Sequence, residues 1–115
     1  YRSGVQVADA GNSIPFNSFQ LSQNYPNPFI PGFGGNLGTT IEFSLEEQSP
    51  IFLQVFNAKG QLVKELISKQ ILCKGIHTVC WDGKDKNSKP LPSGIYFYKL
   101  DVNGETKINK ALILK

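Results

Sequence analysis

The stretch that decides the fold is Trp81-Asp82-Gly83-Lys84-Asp85-Lys86-Asn87-Ser88-Lys89-Pro90-Leu91-Pro92-Ser93-Gly94-Ile95-Tyr96-Phe97-Tyr98. It starts at the end of a predicted strand, on the only tryptophan of the chain. The polar residues that follow are turn formers, and two prolines stiffen the far side of the loop. From Gly94 a β-forming run continues with alternate side chains on one face: Tyr96, Tyr98, Leu100 and Val102. A tryptophan on one strand beside aromatic residues on the next is typical of a β-sandwich core.

The same alternation extends along the chain in both directions. The predicted strands are 19–21, 39–45, 51–56, 61–67, 76–81, 95–102 and 105–114, and the last carries Ile108, Leu112 and Leu114 on one face. Residues 61–67 also match a helical period, but the short turns on both sides favour a strand. About seven strands at regular spacing predict an all-β, immunoglobulin-like antiparallel β-sandwich over residues 19–115. Residues 1–18 have no clear period and are interpreted as a linker or the tail of a preceding domain.

Composition narrows the classes of function. A chain of 115 residues can bury a working core as one domain. The net charge of +3 comes from scattered lysines, which are typical of a solvated surface and not of a nucleic-acid partner. We find no signal peptide and no apolar run long enough to predict a transmembrane segment. The absence of methionine suggests a fragment of a larger precursor.

The sequence does not predict an enzyme, a cofactor or a metal. The single histidine, His77, has no evident nucleophile beside it, and no glycine-rich phosphate loop or paired carboxylates are present. Asp82, Asp85 and Asn87 do not match a calcium loop and are interpreted as turn caps. Cys73 and Cys80 form a disulfide only if the intervening turn brings their Cα atoms within about 7 Å. Otherwise they are two free thiols.

Four blocks of sequence resemble one known family. They are Leu21-Ser22-Gln23-Asn24-Tyr25-Pro26-Asn27-Pro28-Phe29, Asn57-Ala58-Lys59-Gly60-Gln61-Leu62-Val63, the run from Trp81-Asp82-Gly83 to Gly94-Ile95-Tyr96-Phe97-Tyr98-Lys99-Leu100, and Lys110-Ala111-Leu112-Ile113-Leu114-Lys115. Together they resemble the type A C-terminal sorting domain of the type IX secretion system. That family is related to the immunoglobulin-like domain of flagellar hook-capping proteins.

The resemblance implies a secretion signal that works without catalysis. An upstream cargo domain in the same chain would cross the periplasm, be recognised by the outer-membrane translocon and reach the cell surface or the medium. In many members a surface sortase then cleaves the domain, here before about Phe19. The recognition residues implied are Gly94, Tyr96, Lys110 and Lys115. The implied structural core motif comprises Trp81, Asp82, Gly83, Tyr98, Tyr25, Pro26, Pro28 and Phe29. Independently of the resemblance, the two X-Pro steps predict an extended segment that crosses one end of the sandwich with Tyr25 and Phe29 as apolar plugs.

The chain departs from the family at two places. Ile30 replaces an asparagine that usually follows the Pro-Phe step, and a glycine-rich insertion, Gly32 to Gly38, precedes the strand at Thr39. The cysteine pair is also not a family feature. Neither departure touches the C-terminal block.

The role of the terminal lysines and the function of the whole domain each have an alternative interpretation. A chain-terminal edge strand offers unpaired backbone groups for strand addition, with Lys110 and Lys115 supplying charge. The same lysines can instead merely protect an edge against aggregation. The domain can also be an accessory module of a secreted enzyme, acting as a spacer or binding carbohydrate. The aromatic residues that lie off the predicted core faces would then form the binding face: Phe33, Phe52, Phe56 and Phe97.

Overall fold

Seven strands form the part of the protein that the computed structural model describes, residues 19–31 and 38–115. They are β1 (Phe19–Leu21), β2 (Thr39–Leu45), β3 (Ser49–Asn57), β4 (Leu62–Leu72), β5 (Gly75–Trp81), β6 (Gly94–Val102) and β7 (Glu105–Ile113). All paired strands run antiparallel, in one sheet of order β1-β2-β5 and a second of order β4-β3-β6-β7. The predicted immunoglobulin-like sandwich is confirmed. The predictions for residues 1–18, the cleavage point, most of the Gly32 to Gly38 insertion and Phe33 lie outside the described residues.

The core lies between the two sheets, where the period-2 pattern predicted it. On β6 the four predicted inward residues are all buried, and on β2 so are Ile41, Phe43 and Leu45. Trp81 is fully buried and meets Phe29 and Tyr96 edge to face, with ring centroids 5.5 and 5.8 Å apart. These contacts join the end of β5, the segment before β2 and the start of β6 into one aromatic cluster.

The inward face of β7 differs from the prediction. Ala111 and Ile113 are buried, whereas Ile108 and Leu114 are exposed. The cause is that the first half of the inner face is polar. Lys107 Nζ donates to Phe19 O at 2.6 Å, and Asn109 Nδ2 donates to Leu21 O at 3.1 Å. The apolar residues from which the inward face was predicted, Ile108 on β7 and Leu114 just beyond it, therefore lie on the outer side.

The predicted structural core motif is buried only in part. Trp81, Tyr98, Phe29 and Gly83 are buried and Pro26 is half-buried, but Tyr25, Pro28 and Asp82 are exposed. Tyr25, with 79% of its surface exposed, is therefore not an apolar plug. Its backbone fixes it instead, since its N–H and C=O both pair with Thr40.

Candidate functional site

Two of the four predicted recognition residues lie at the same end of the sandwich. Gly94 opens β6 and stands opposite Ile113 of β7. The backbone N–H of Lys115 donates to Ser93 Oγ at 3.0 Å, which ties the end of the chain beside Gly94. Gly94 and Lys115 are both exposed. We call this region the Gly94 end.

A shallow groove adjoins the Gly94 end. Its volume is about 250 Å³, and it is lined by Asn57, Ala58, Lys59, Gln61, Ser93, Gly94, Ile95 and Tyr96. The β3–β4 turn on one side is held by Asn57, whose Oδ1 accepts from the backbone N–H of Lys59 and of Gln61 at 3.0 and 2.9 Å. Two of the sequence blocks that carry the resemblance therefore meet at one accessible surface.

Tyr96 supports this surface from inside the core. It is buried, and its hydroxyl donates to Pro92 O at 2.8 Å. Burial raises the pKa of this phenol above its ordinary value of 10.0. Because its side chain is buried and bonds to Pro92 O, Tyr96 fixes the course of the chain from Pro92 to Gly94 and is not a direct contact for a large partner.

Lys110 lies apart from the Gly94 end. It is exposed on β7, and its register partner on β6 is Phe97 rather than Gly94. Lys110 lies three residue steps before Ile113, a distance of about 10 Å along the strand. The four predicted recognition residues are therefore spread over an end, an interior position and a sheet face.

Two of the four aromatic residues predicted to form a carbohydrate-binding face lie next to each other. Phe56 and Phe97 are cross-strand neighbours on the outer face of the four-stranded sheet, and both are half-buried. With Gly60, Lys99 and Ile108 they line a shallow groove of about 420 Å³. Lys99 Nζ lies 5.1 Å from the centroid of the Phe56 ring, a cation–π distance. Phe52 is also half-buried, four residues before Phe56 on β3.

A buried polar network, which the sequence analysis did not identify, connects the Asn-Tyr-Pro segment to β6. The Tyr98 hydroxyl donates to Ser22 O at 2.7 Å and accepts from the Asn24 N–H at 2.8 Å. Asn24 Nδ2 donates to Thr39 Oγ1 at 2.9 Å, and both side chains are buried. The partners of Asn24 lie 15 residues away, at Thr39, and 74 residues away, at Tyr98, so no local pattern in the sequence predicts its burial.

We expect this network to make the fold sensitive to alkaline pH. Burial raises the pKa of Tyr98 above 10.0, so the unfolded chain loses its phenolic proton first as the pH passes that value. The stability that neutral Tyr98 gives to the fold should thus be fully present below pH 10, and the free energy of unfolding should fall as the pH rises above that value. Urea unfolding at pH 9 and pH 11 checks this: Tyr98→Phe should lose less stability over the interval than the unmodified protein. An equal loss in both proteins would contradict it.

Both cysteines are free and exposed. Cys73 precedes β5, and Cys80 lies near the far end of that strand. Because the strand is extended, residues 75 and 80 are already about 16 Å apart. The disulfide considered from the sequence is therefore not formed. His77 lies on β5, where its ring stacks on Phe43 with centroids 5.4 Å apart and its Nε2 is 2.7 Å from Cys73 O.

The acidic residues of the β5–β6 loop cap turns. Asp82 Oδ1 accepts from the Lys84 N–H at 3.0 Å. Asp85 Oδ1 accepts from the Lys89 and Asn87 N–H groups, and the bond from Lys89 is the main reason that the pKa of Asp85 lies below its usual value. Among the described residues, no group of three His, Cys, Asp or Glu side chains is placed to hold a metal ion.

None of the described residues belongs to a helix that could span a membrane.

Solved structures similar to the chain share its sandwich fold. PorU of Porphyromonas gingivalis, solved as a latent dimer, superposes with a TM-score of 0.63 at 16% identity, over 93% of this chain and 10% of that chain. PorZ, an essential surface component of the type IX secretion system of the same organism, gives 0.57 at 17% identity, over 85% and 12%. FlgD of P. aeruginosa gives 0.50 at 25% identity, over 64% and 59%. The chain thus spans only about a tenth of the two Porphyromonas proteins and about three fifths of FlgD.

Sequence comparison with families agrees with this fold. No curated protein matches the chain. The FlgD Ig-like domain family matches residues 30–107, which is more than half of the chain and includes β2 to β6 in full. The chain therefore belongs to the FlgD Ig-like domain family.

Proposed function

We propose that this domain is a C-terminal sorting domain, a non-catalytic signal that directs an upstream cargo protein through the type IX outer-membrane translocon to the cell surface or the medium. The observation that carries the proposal is the Gly94 end. Gly94 and Lys115, which the resemblance marks for recognition, lie side by side next to the turn formed by a second resembling block. The shared fold of PorZ, a surface component of that secretion system, supports it.

The contacts of β7 change how such recognition would work. Outward-directed backbone groups of the terminal strand are already occupied: Leu112 N–H donates to Asn27 Oδ1, Leu112 O accepts from the Phe29 N–H, and Leu114 N–H donates to Phe29 O, at 2.9 to 3.0 Å. Gln23 Nε2 also donates to Lys110 O at 2.7 Å. Strand addition at residues 110–115 would have to displace this segment. The proposed contact surface is therefore the Gly94 end, with Lys59 and Lys115 as its cations, and Lys110 as a more distant charge.

The test is export of a fluorescent reporter fused ahead of residues 1–115 in a host with this secretion system. Deleting residues 110–115 would be uninformative, because it removes the buried side chains of Ala111 and Ile113. The sharper variant is Lys110→Glu with Lys115→Glu, and its control is Lys74→Glu with Lys86→Glu, which makes the same change of charge at exposed positions elsewhere.

We expect the unmodified fusion and the control to reach the surface or medium, and the Lys110/Lys115 variant to be exported about tenfold less, equivalent to about 1.4 kcal/mol of lost interaction. Equal thermal melting of both variants would show that the fold is not the cause. If the unmodified fusion stays in the periplasm, the sorting proposal fails. Equal export of both variants would remove the lysines from the recognition surface.

The second candidate function is that of an accessory module that binds carbohydrate, and the groove at Phe56 and Phe97 favours it. Aromatic faces stack on the apolar faces of sugars, and Lys99 is placed to meet a hydroxyl or carboxylate. Retention on glycan columns that is lost in Phe97→Ala would support this function. Export of the reporter fusion does not depend on that groove, so the two assays separate the candidates.

A further inference from the structure

Of the four sheet edges formed by the described residues, three are protected against pairing with another strand. β1 is only three residues long. β7 is covered over its second half by the segment from Gln23 to Phe29. β4 carries Lys64, Glu65 and Lys69, its register against β3 shifts at several points, and Lys69 has a φ of 45°. Short length, covering, charges and bulges are the usual means by which proteins block edge pairing.

The fourth edge, β5, has none of these protections. Its sequence, Gly75-Ile76-His77-Thr78-Val79-Cys80-Trp81, contains no lysine, arginine, aspartate, glutamate or proline. Its register against β2 runs without a shift from Thr39↔Trp81 to Leu45↔Gly75. In the part of the chain that the structure describes, β2 is its one neighbour. An uncharged, regular edge of seven residues is a template for another strand.

The hydrogen bonds of β2 show which groups of β5 point outward. Thr40 exchanges both backbone bonds with Tyr25, and Glu42 O accepts from the Ser22 N–H, so these residues point away from β5. In an antiparallel ladder the direction alternates residue by residue. The β2 residues in between therefore bond to β5 through Gly75, His77, Val79 and Trp81, by the observed register.

It follows that Ile76, Thr78 and Cys80 direct their N–H and C=O groups outward. No described residue outside the sheet donates to or accepts from these backbone groups. Their side chains are exposed too, and Ile76 has 70% of its surface accessible. The edge thus offers a row of backbone donors and acceptors beside an exposed apolar side chain.

We propose that β5 pairs with β5 of a second copy of this chain, antiparallel, about a two-fold axis at Thr78. The outward residues are self-complementary in this register: Thr78 faces Thr78 of the other copy, and Ile76 faces Cys80. Each facing pair exchanges two backbone hydrogen bonds. Because β5 contains no lysine, arginine, aspartate or glutamate, two copies bring no such like charges together along the pair. The two three-stranded sheets then form one continuous six-stranded sheet.

A cross-linking experiment tests the register. In a protein with Cys73→Ser and Cys80→Ser, Thr78→Cys places two thiols across the axis with Cα atoms about 5.5 Å apart, within disulfide range. The matched control is Glu42→Cys, exposed on the neighbouring strand beside Thr78. Its copies lie three strand spacings apart, about 14 Å, and cannot bridge. We expect a disulfide-linked dimer from Thr78→Cys and none from Glu42→Cys.

A second measurement does not depend on the engineered thiol. By sedimentation equilibrium, the apparent mass of the unmodified chain should rise toward twice the chain mass with concentration. Thr78→Lys, which sets two charges against each other on the axis, should weaken the dimer at least tenfold. Thr106→Lys, the same change at an exposed strand position in the other sheet, should not. A chain that stays monomeric, a dimer indifferent to Thr78→Lys, or equal cross-linking of Glu42→Cys would each overturn the proposal.

Discussion

Replacement of Trp81 by alanine is expected to lower the free energy of unfolding by about 3–5 kcal/mol, the usual cost of removing a large buried aromatic side chain. The indole is fully buried and contacts Phe29 and Tyr96 from two other parts of the chain. The substitution leaves a cavity and also removes the indole donor of Lys84 O, which lies 3.1 Å from Trp81 Nε1. Small domains have about 5–15 kcal/mol in total, so much of the stability would be lost.

Urea unfolding followed by circular dichroism measures this loss without relying on the tryptophan signal. Tyr25→Ala is the control, because the resemblance placed both aromatic residues in the same core motif whereas Tyr25 is 79% exposed. Its substitution should change the free energy of unfolding by no more than about 0.5 kcal/mol. A loss at Tyr25 as large as that at Trp81 would mean that Tyr25 belongs to the core after all.

The strands were predictable because one face of each is buried and the other is not. Tyr96, Tyr98, Leu100 and Val102 alternate with residues that need no burial, so the inner face of β6 could be assigned from period 2 alone. The same rule assigned β7 to the wrong face. There Lys107 and Asn109 point inward because backbone oxygens of the β1 segment accept their hydrogen bonds. Such partners lie more than 80 residues away and leave no local signal.

The candidate site was predictable residue by residue but not as an arrangement. The resemblance indicated Gly94 and Lys115, and the structure shows that Ser93 joins them. The burial of Tyr96 followed from the period-2 pattern of β6 and not from the resemblance. Neither indicated that Lys110 would lie on a different face from Gly94, since that depends on the register of β7. The covering of β7 depends on the side-chain amide of Asn27 and the backbone of Phe29, which form hydrogen bonds with the backbone of Leu112 and Leu114. Whether an edge is covered depends on tertiary contacts. The sequence analysis therefore expected β7 to be the open edge, whereas in the structure β7 is covered and β5 is open.

Replacement of Gly38 by alanine is expected to have an effect comparable to that of Trp81→Ala. Its φ of 153° lies in a region that favours glycine, and a Cβ built there would stand 2.1 Å from the carbonyl oxygen of Trp81. The neighbouring obstacles are also backbone, namely Trp81 C at 2.8 Å and Asp82 Cα at 2.9 Å. Backbone strain of about 1–3 kcal/mol is therefore joined by about 1–3 kcal/mol for displacing the β5 end that holds the tryptophan.

Gly94→Ala is a close control for this prediction, because Gly94 has nearly the same φ, 155°, but a Cβ there meets nothing within 4 Å. Gly94→Ala should lose only the backbone strain of about 1–3 kcal/mol, so its free energy of unfolding in urea should be clearly higher than that of Gly38→Ala. Equal losses would mean that the contact with Trp81 O adds nothing.

The same pair separates folding from recognition in the reporter assay. We expect Gly38→Ala to be retained in the periplasm because the domain is poorly folded. We expect Gly94→Ala to be retained although it is folded, because it alters the surface beside Lys115. If folded Gly94→Ala is exported like the unmodified fusion, this glycine serves only the backbone bend that opens β6.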